Sequence, residues 1–237
     1  MRHNAAMCGR FAQPRSADDL ARLYEAVAVG RLEGEQYNVA PTDEVSAVIQ
    51  PHEERIVDTF RWGLVPVWAE SPREGARLIN ARGETVIHSP AFRGAFRTRR
   101  CIVPADAFYE WRRDGPAGAS GGRTKPQPWA IRRRDGMPLS FAGLWSVWRD
   151  PATAARLYTC TVITTTPNEV VAPFHHRMPV VLQPDAWDAW LLTDTPQDLL
   201  EPMLGPCDPG LLEAFPVDVA VNDVRSEGPQ LLTPMDR

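Results

Sequence analysis

The sequence predicts a single α+β domain in which an antiparallel or mixed sheet curls towards a barrel. Its 237 residues include many short segments rich in β-branched and aromatic side chains, separated by 23 prolines and 16 glycines. Helix signals are few, so the strands follow one another without the alternating helices of a doubly wound fold. An apolar content of 43% in a chain of this length suffices for a sizeable core.

Seven segments predict strands because turn residues flank each of them and their side chains suit a pleated, half-buried surface. They are Val45–Ile49, Ile56–Trp62, Cys101–Trp111, Trp129–Arg133, Leu139–Trp148, Leu157–Thr165 and Met178–Leu182. The glycine-rich segment 115–128 is predicted to be a surface loop inside the domain, because strand patterns continue on both sides of it.

Three helices are predicted. Ser16 is an N-cap residue with Asp19 three positions later, and the apolar residues that follow share one face. A second helix begins at the Pro-Asp pair at 184–185 and continues through apolar residues spaced by three and four. A short third helix is expected over 197–204.

The expected organisation is an N-terminal extension over 1–7, one domain over 8–225 and a C-terminal tail over 226–237. The four cysteines, Cys8, Cys101, Cys160 and Cys207, are scattered without a C-x-x-C pair, which argues against a zinc knuckle, a redox motif or a disulfide scaffold. With no signal peptide and no apolar run long enough to cross a bilayer, the sequence indicates a cytoplasmic protein that does not enter membranes.

A net charge of −4 excludes a uniformly basic nucleic-acid binder but leaves room for a local basic cleft. Nearly all the positive charge is arginine, since Lys125 is the only lysine. Guanidinium groups suit phosphate oxygens, although the codon bias of a GC-rich genome explains the same composition. The positions of the arginines therefore carry more information than their number.

Four polar segments interrupt otherwise apolar strands: MCGRF (7–11), INARGET (79–85), FYEW (108–111) and HHRMP (175–179). In an extended chain, residues i and i+2 point to the same side. This pairs a reactive or hydrogen-bonding residue with an arginine three times, in Cys8 with Arg10, Asn80 with Arg82, and His175 with Arg177. The recurrence predicts one site in which reactive groups lie beside cations that hold an anion.

Each member of this set has a structural alternative. Cys8 alone fits a small buried apolar residue, and Asn80 alone fits a turn or a cap. Glu110 alone fits an ion-paired edge residue, but its aromatic neighbours would desolvate the carboxylate, raise its pKa and suit proton transfer. A regular strand would point His175 and His176 in opposite directions, so only His175 shares the face of Arg177.

Aromatic residues beside arginines point to single-stranded nucleic acid, because bases stack on rings while guanidinium groups follow the backbone. Trp68 follows a Pro-Val turn and Trp111 adjoins Glu110. The segment FRGAFRTRR (92–100) adds four arginines, which fit either a phosphate-binding surface or an ordinary solvated face.

Eight ordered motifs resemble those of the SRAP family, the SOS response-associated peptidase domains. They are MCGRF, YNVAPT (37–42), WGLVPVW (62–68), INARGET, RCIVPADAFYEW (100–111), FAGLW (141–145), ITTTPN (163–168) and HHRMPVVL (175–182). The resemblance runs from Cys8 to about Asn222, which is nearly the whole chain.

The resemblance implies a protein that senses abasic sites in single-stranded DNA and forms a reversible thiazolidine crosslink through an N-terminal cysteine. By position it makes Cys8 the nucleophile, Asn80 a hydrogen-bond partner of the adduct, Glu110 a proton-transfer group and His175 an acid–base group at the sugar. The implied phosphate contacts are Arg10, Arg82 and Arg177, and the implied lining of the DNA path is Asn38, Pro41, Trp68, Trp111 and Thr164. The chemistry requires no metal and no other cofactor, and one-to-one capture needs only a monomer, although the sequence leaves the oligomeric state open.

This chemistry requires Cys8 to carry a free α-amino group, which raises the question of where the working chain starts. Met1 is followed by Arg2, which is too large for methionine removal, whereas Met7 is followed by the small Cys8. We therefore expect Met7 to be the working start, with self-cleavage before Cys8 as the second possibility.

Three other functions remain open from the residues alone. An N-terminal-nucleophile amidase or autopeptidase would use the same Cys8 with Glu110 or His175 as its base. A non-covalent single-stranded DNA binder would use Cys8 only for packing. A metal hydrolase fits least, because no two candidate ligands show a recognised spacing.

Overall fold

The computed structural model describes residues 9–30, 32, 34–112 and 126–235 of the chain. It shows a single α+β domain, as predicted, in which two sheets pack against each other. The strands are β1 (Phe11–Gln13), β2 (Val27–Ala28), β3 (Gln36–Val39), β4 (Glu44–Ile49), β5 (Ile56–Trp62), β6 (Asn80–Arg82), β7 (Arg100–Ala105), β8 (Ala107–Arg112), β9 (Gln127–Arg133), β10 (Leu139–Arg149), β11 (Arg156–Thr165), β12 (Met178–Pro179), β13 (Val181–Leu182) and β14 (Leu212–Pro216).

The helices are short and lie between the strands. They are α1 (Ala17–Tyr24), α2 (Gly83–Val86), α3 (Arg93–Thr98), α4 (Trp187–Leu191) and α5 (Gln197–Leu200). Short 3₁₀ helices occur at Pro72–Arg77, Pro184–Ala186, Glu201–Leu204, Pro209–Leu211, Val219–Asn222 and Pro229–Leu232. In α1 the Ser16 side chain accepts a hydrogen bond from the Asp19 amide, which is the predicted N-cap.

The larger sheet closes into a barrel. Strands β5, β4, β7, β10 and β11 are neighbours in that order, and each of these pairs is antiparallel. The parallel pairing of Thr159 with Arg61 and of Cys160 with Trp62 then brings β11 back to β5 and completes the ring. The predicted mixed sheet that curls towards a barrel is therefore confirmed.

The second sheet is antiparallel, with the order β14-β9-β8-β1-β3, and one of its faces covers the barrel. Alternation along β7 shows the layering: Cys101 and Val103 join a core with Phe108 and Ile131 of the second sheet, while Ile102 joins the core under the helices. Full burial of each large apolar side chain stabilises the fold by about 1.5–3 kcal/mol.

The outer face of the second sheet is covered by the C-terminal segment. Val217, Val221 and Leu231 pack on Tyr109 and on small residues of β1, β8 and β9. Leu231 is fully buried, and the Glu227 carboxylate accepts a hydrogen bond from the Tyr37 amide. Residues 226–235, expected to form part of a tail, thus lie against the domain.

Two predicted strands are each divided where the chain changes partners. The predicted strand Cys101–Trp111 is β7 in the barrel and β8 in the second sheet, with a break at Asp106, whose carboxylate binds Arg15. The predicted strand Met178–Leu182 pairs first with β11 and then with β10. The other predicted strands are confirmed within a residue or two at their ends.

The arginine-rich segment 92–100 has a different structure from the continuous surface run that its composition indicated. It forms α3 and the start of β7, and Arg100 is buried. The Arg100 guanidinium donates hydrogen bonds to carbonyl oxygens of α3 and of the chain around α4, including those of Phe96 and Trp190. Burial lowers the pKa of Arg100 to about 10. Arg100 therefore anchors helices instead of facing solvent.

No helix in the part of the chain that the structure describes is both long enough and apolar enough to span a lipid bilayer.

Candidate functional site

The N-terminal strand leads the chain into the second sheet beside Glu110. Phe11 pairs with Phe108, and the Tyr109 amide donates a 3.0 Å hydrogen bond to the Arg10 carbonyl. Antiparallel partners step in opposite directions, so the register sets Gly9 level with Glu110. Cys8 itself lies outside the described residues.

Glu110 is a buried carboxylate at the end of the space between the two sheets. It is 4% exposed and pairs with Trp129 of β9. Phe108, two residues earlier on the same face of β8, belongs to the core between the sheets. The Trp129 ring packs on the ring of Phe174, with 5.0 Å between their centroids. Phe174 directly precedes His175, so the His175 segment lies next to the strand residue that pairs with Glu110.

Strand β11 holds candidate residues along both of its edges. On one edge β6 runs parallel to it, with Asn80 opposite Val162 and Arg82 opposite Thr164. On the other edge β12 pairs with Thr164 and Thr165, directly after Arg177. Asn80 and Arg82 share a face of an extended strand, as their spacing predicts, and the side chain of Arg82 is exposed.

The Arg177 guanidinium donates three short hydrogen bonds to other groups of the protein. It donates to both carboxylate oxygens of Glu84, at 2.5 and 2.8 Å, and to the Thr164 carbonyl at 2.6 Å. Arg177 is 8% exposed, and its hydrogen bonds lower the pKa of Glu84. This bidentate pair ties the turn before β12 to α2, which follows directly after Arg82.

The segment around His175 is a turn and not a strand. The His175 amide donates to the Val171 carbonyl, and the rings of His175 and His176 stack with centroids 4.3 Å apart. The expectation that the two histidines point in opposite directions is therefore wrong, because the turn from 169 to 176 brings their rings together.

The His175 ring is held by the backbone of Arg177. The Arg177 amide donates a 3.0 Å hydrogen bond to Nδ1 of His175, and the Arg177 carbonyl oxygen lies 3.3 Å from the same nitrogen. Partial burial lowers the pKa of His175 below its ordinary value of 6.5, and the positive charges of His176 and Arg177 act in the same direction. The lowered pKa favours a neutral ring near neutral pH.

A second group of candidate residues surrounds the C-terminal segment. Arg10 Nη1 donates to Asn38 Oδ1 at 2.5 Å and to the Val221 carbonyl at 2.9 Å, while Trp111 Nε1 donates to Asn222 Oδ1 at 2.5 Å. Burial is the main cause that lowers the pKa of Arg10.

Asn38 and Thr164 lie behind the arginines and not on the surface. Asn38 is 1% exposed, and its amide nitrogen donates to the Asp223 and Ser226 carbonyls, which ties the C-terminal segment to β3. Thr164 is fully buried beside Arg177. Both residues therefore act on the position of a neighbouring arginine.

Pro41 and Trp68 lie on two separate connections. Pro41 is half-buried in the turn between β3 and β4, where the Asp43 carboxylate accepts the Ala40 amide. Trp68 is 60% exposed at the end of the segment 63–69.

The segment that carries Trp68 depends on a close backbone approach at Gly63. Gly63 has φ +127°, and a Cβ atom on Gly75 would lie 2.4 Å from its carbonyl oxygen. A side chain at either position would displace the segment. Further along, the Val65 amide donates to Thr159 Oγ1 and Trp148 Nε1 donates to the Ala69 carbonyl, so both ends of the segment are fixed.

A metal centre is not formed among the residues that the structure describes, since none of their His, Cys, Asp and Glu side chains gather in a group of three or more that could hold an ion.

The sequence profile of one protein family, described as SOS response associated peptidase (SRAP), matches residues 7–224. The chain belongs to the SRAP family. The abasic site processing protein YoqW of Bacillus subtilis is 38% identical over 230 residues, covering 95% of this chain and 99% of YoqW. The abasic site processing protein YedK of Escherichia coli is 30% identical over 241 residues, covering 97% of this chain and all of YedK.

A crystal structure of a protein from Bacteroides thetaiotaomicron has the same fold as this SRAP domain. The two superpose with a TM-score of 0.84, covering 96% of this chain and all of the other, at 24% sequence identity. At that identity the likeness concerns the fold alone.

Sequence reasoning gave no role to Glu84 or Asn222. Glu84 lies inside INARGET, and its charge two residues after Arg82 was a usable signal. Asn222 lies far from Trp111 in sequence, and only the fold of the C-terminal segment brings them together.

Replacing Glu84 in this SRAP domain should lower stability, because a nearly buried guanidinium would lose its carboxylate. We expect Glu84→Ala to lower the free energy of unfolding by about 2 kcal/mol, as measured by urea denaturation. Glu54→Ala, which removes an exposed carboxylate elsewhere, should change it by less than about 0.5 kcal/mol. Equal effects of the two substitutions would contradict the role given to the Arg177–Glu84 pair.

His175 should make stability depend on pH on the acidic side of neutrality. Above 6.5 the ring is neutral in both the folded and unfolded chain, but as the pH falls below that value the unfolded chain binds a proton first. The free energy of unfolding should therefore decrease from pH 6.5 down to the lower pKa of the folded state. In denaturation series at several pH values, His175→Gln should lose less stability than the wild type across this window, and parallel curves would refute the assignment.

Proposed function

We propose that this SRAP protein captures abasic sites in single-stranded DNA by forming a reversible covalent bond through Cys8. Relatives over nearly the whole chain are named abasic site processing proteins. The observation that carries the proposal is the register of β1 with β8, which sets the residue after Cys8 level with the buried carboxylate of Glu110.

The chemistry needs only the two nucleophiles of an N-terminal cysteine and the aldehyde of a ring-opened abasic sugar. The α-amine adds to C1 of the sugar, and loss of one water gives an imine. The Cys8 thiolate then adds to the imine carbon, the imine nitrogen takes a proton, and a five-membered thiazolidine ring closes. Because the thiolate is tethered to the imine, closure benefits from a high effective concentration.

Both nucleophiles are within reach of their reactive forms near neutral pH. An α-amino group has an ordinary pKa of about 7.7–8.0 and a thiol of about 8.5, and nearby cations favour the neutral amine and the thiolate.

The described residues supply the remaining roles. Glu110 accepts and returns protons during imine formation, and Asn80 hydrogen-bonds the adduct from β6. The His175 ring, held at Nδ1 by the Arg177 backbone, acts on a sugar oxygen through Nε2. No cofactor takes part in any of these steps.

The three arginines divide their work according to their contacts. Arg82 is exposed and binds a phosphate through its whole guanidinium group. Arg10 and Arg177 are braced by Asn38 and Glu84 and add positive charge beside the DNA path. The DNA path passes Pro41 and the rings of Trp68 and Trp111, on which bases stack, while the buried Thr164 supports Arg177 from behind.

The active chain starts at Cys8 after removal of Met7. An internal Cys8 has an amide nitrogen that cannot form an imine. The family profile begins its match at Met7, which supports translation from that residue. Self-cleavage before Cys8 would yield the same terminus.

The family description favours a second function on the same residue. As a peptidase, Cys8 would attack a peptide carbonyl with Glu110 or His175 as the base. That activity would not depend on DNA or on Arg82.

A denaturing gel separates these functions. The wild type, mixed with a single-stranded oligonucleotide carrying one abasic site, should give a slow-migrating band that is absent with intact DNA. Cys8→Ala should give no band.

Cys8→Ser is the matched control, because it replaces the thiol with a hydroxyl of similar size and, like Cys8→Ala, keeps the α-amine. It should form an imine that survives the gel only after borohydride reduction, whereas the wild-type band needs no reductant. A full-strength band from unreduced Cys8→Ala, or an equal band with intact DNA, would refute the proposed chemistry.

A further inference from the structure

An open groove of about 640 Å³ lies beside the barrel, between α3 and the segment that carries Trp68. Val67 and Trp68, each 60% exposed, form one side, and the arginines of α3 form the other. Ser146 of β10 lies at its base. The groove therefore combines an exposed indole with a row of guanidinium groups.

The arginines of this groove have no carboxylate partner in the part of the chain that the structure describes. Several other arginines of the protein do, as in Arg15 with Asp106 and Arg132 with Glu213. Within the described residues, the side chains of Arg93, Arg97 and Arg99 take part in no ion pair or hydrogen bond. Their charge is thus available to an external anion.

A second groove continues the basic surface beyond Val67, which lines both. Its other lining residues are Val147, Arg149, Arg156 and Tyr158. Arg149 faces Arg156 across β10 and β11, and Val147 faces Tyr158, so the hairpin presents two guanidinium groups beside a partly exposed phenol ring. None of the described residues that line the two grooves is acidic.

Both sides of the first groove are fixed in place before any ligand binds. The Trp148 indole holds the Ala69 carbonyl behind Trp68. On the other side, buried Arg100 binds the last carbonyls of α3, and the Arg99 carbonyl accepts the Trp145 amide. A fixed groove binds with less loss of conformational entropy than a mobile one.

The grooves lie along the strands that lead to the candidate site. Trp145, which bonds to Arg99, pairs with Cys160, and Cys160 is four residues before Thr164 on β11. At about 3.3 Å per residue, that is about 13 Å of strand. The hairpin pair at Arg156 lies about 26 Å from Thr164 by the same measure.

We propose that these two grooves bind the single-stranded DNA that flanks the captured lesion. The inference rests on the proposed function, and it adds five arginines, Arg93, Arg97, Arg99, Arg149 and Arg156, to the DNA contacts. Exposed rings at Trp68 and Tyr158 alternate with the guanidinium groups, which suits unpaired bases and their phosphates better than an acidic peptide. The protein's net charge of −4 makes this local basic surface, and not bulk charge, the source of the attraction.

The test uses paired charge removals at exposed positions. The groove variants are Arg93→Gln/Arg97→Gln and Arg149→Gln/Arg156→Gln, and the control is Arg22→Gln/Arg134→Gln, which removes the same charge elsewhere on the surface. Circular dichroism and thermal melts confirm that each variant folds.

Two readouts separate this inference from the proposed function. The rate of gel-shifting capture is measured on abasic oligonucleotides with flanks of about 4 and about 16 nucleotides, a range that spans typical single-strand site sizes. Binding of intact single-stranded DNA is measured by fluorescence anisotropy over a salt series, which does not require any crosslink.

With the wild type and the control, we expect the long flank to give faster capture and tighter binding than the short flank. Each groove variant should lose most of that advantage while its capture of the short-flank lesion stays within about twofold of wild type. Loss of two phosphate contacts should make the salt dependence of log K shallower by about 1.4.

Unchanged flank dependence and unchanged salt slope in the groove variants would overturn the inference, even if capture itself is confirmed. If the groove variants keep their DNA affinity but lose binding to a polyglutamate probe, the surface recognises an acidic protein segment and the DNA assignment is wrong. If no protein forms a crosslink, the anisotropy series still decides whether the grooves bind DNA.

Discussion

Strand β11 is hydrogen-bonded along both edges, and the arrangement of the candidate site depends on it. Its first half pairs with β10 and β5 and closes the barrel. Its second half exchanges these neighbours for β12 and β6, which carry or directly follow Arg177, Asn80 and Arg82. A shift of one residue in this strand would turn its side chains to the opposite face, so barrel closure and the positions of the site residues are coupled.

Two further contacts complete the placement of functional groups. The ion pair of Arg177 with Glu84 joins the two segments that flank β11. The backbone amide of Arg177 also hydrogen-bonds the His175 ring and orients it. On the second sheet, the register of β1 leads the chain past Glu110, and Asn38 secures the C-terminal segment behind Arg10. The buried carboxylate of Glu110 and the imidazole of His175 are thus held in place by backbone pairing and hydrogen bonds, which is the preorganisation that their proposed roles require.

Local sequence signals were sufficient for the strands and for the Ser16-capped helix, because turn residues and side-chain spacing act within a few positions. They failed at Asp106 and Val180, where the chain changes sheet or partner, since nothing local marks which strand lies on the other side. His175 and His176 were expected on opposite faces, and their stacking follows from a turn fixed by the distant Val171 carbonyl and the β11 pairing. The buried positions of Asn38 and Arg100 likewise depend on partners more than 80 residues away.

The proposed mechanism requires the active protein to carry a free α-amino group on Cys8, next to the Cys8 thiol. The most direct test is the intact mass of the protein purified from its own host, before and after it has captured an abasic oligonucleotide. The account predicts that the captured species is a chain beginning at Cys8, with the mass of protein plus DNA minus one water. Capture by a chain that retains residues 1–7, or whose terminal amine is blocked, would contradict it.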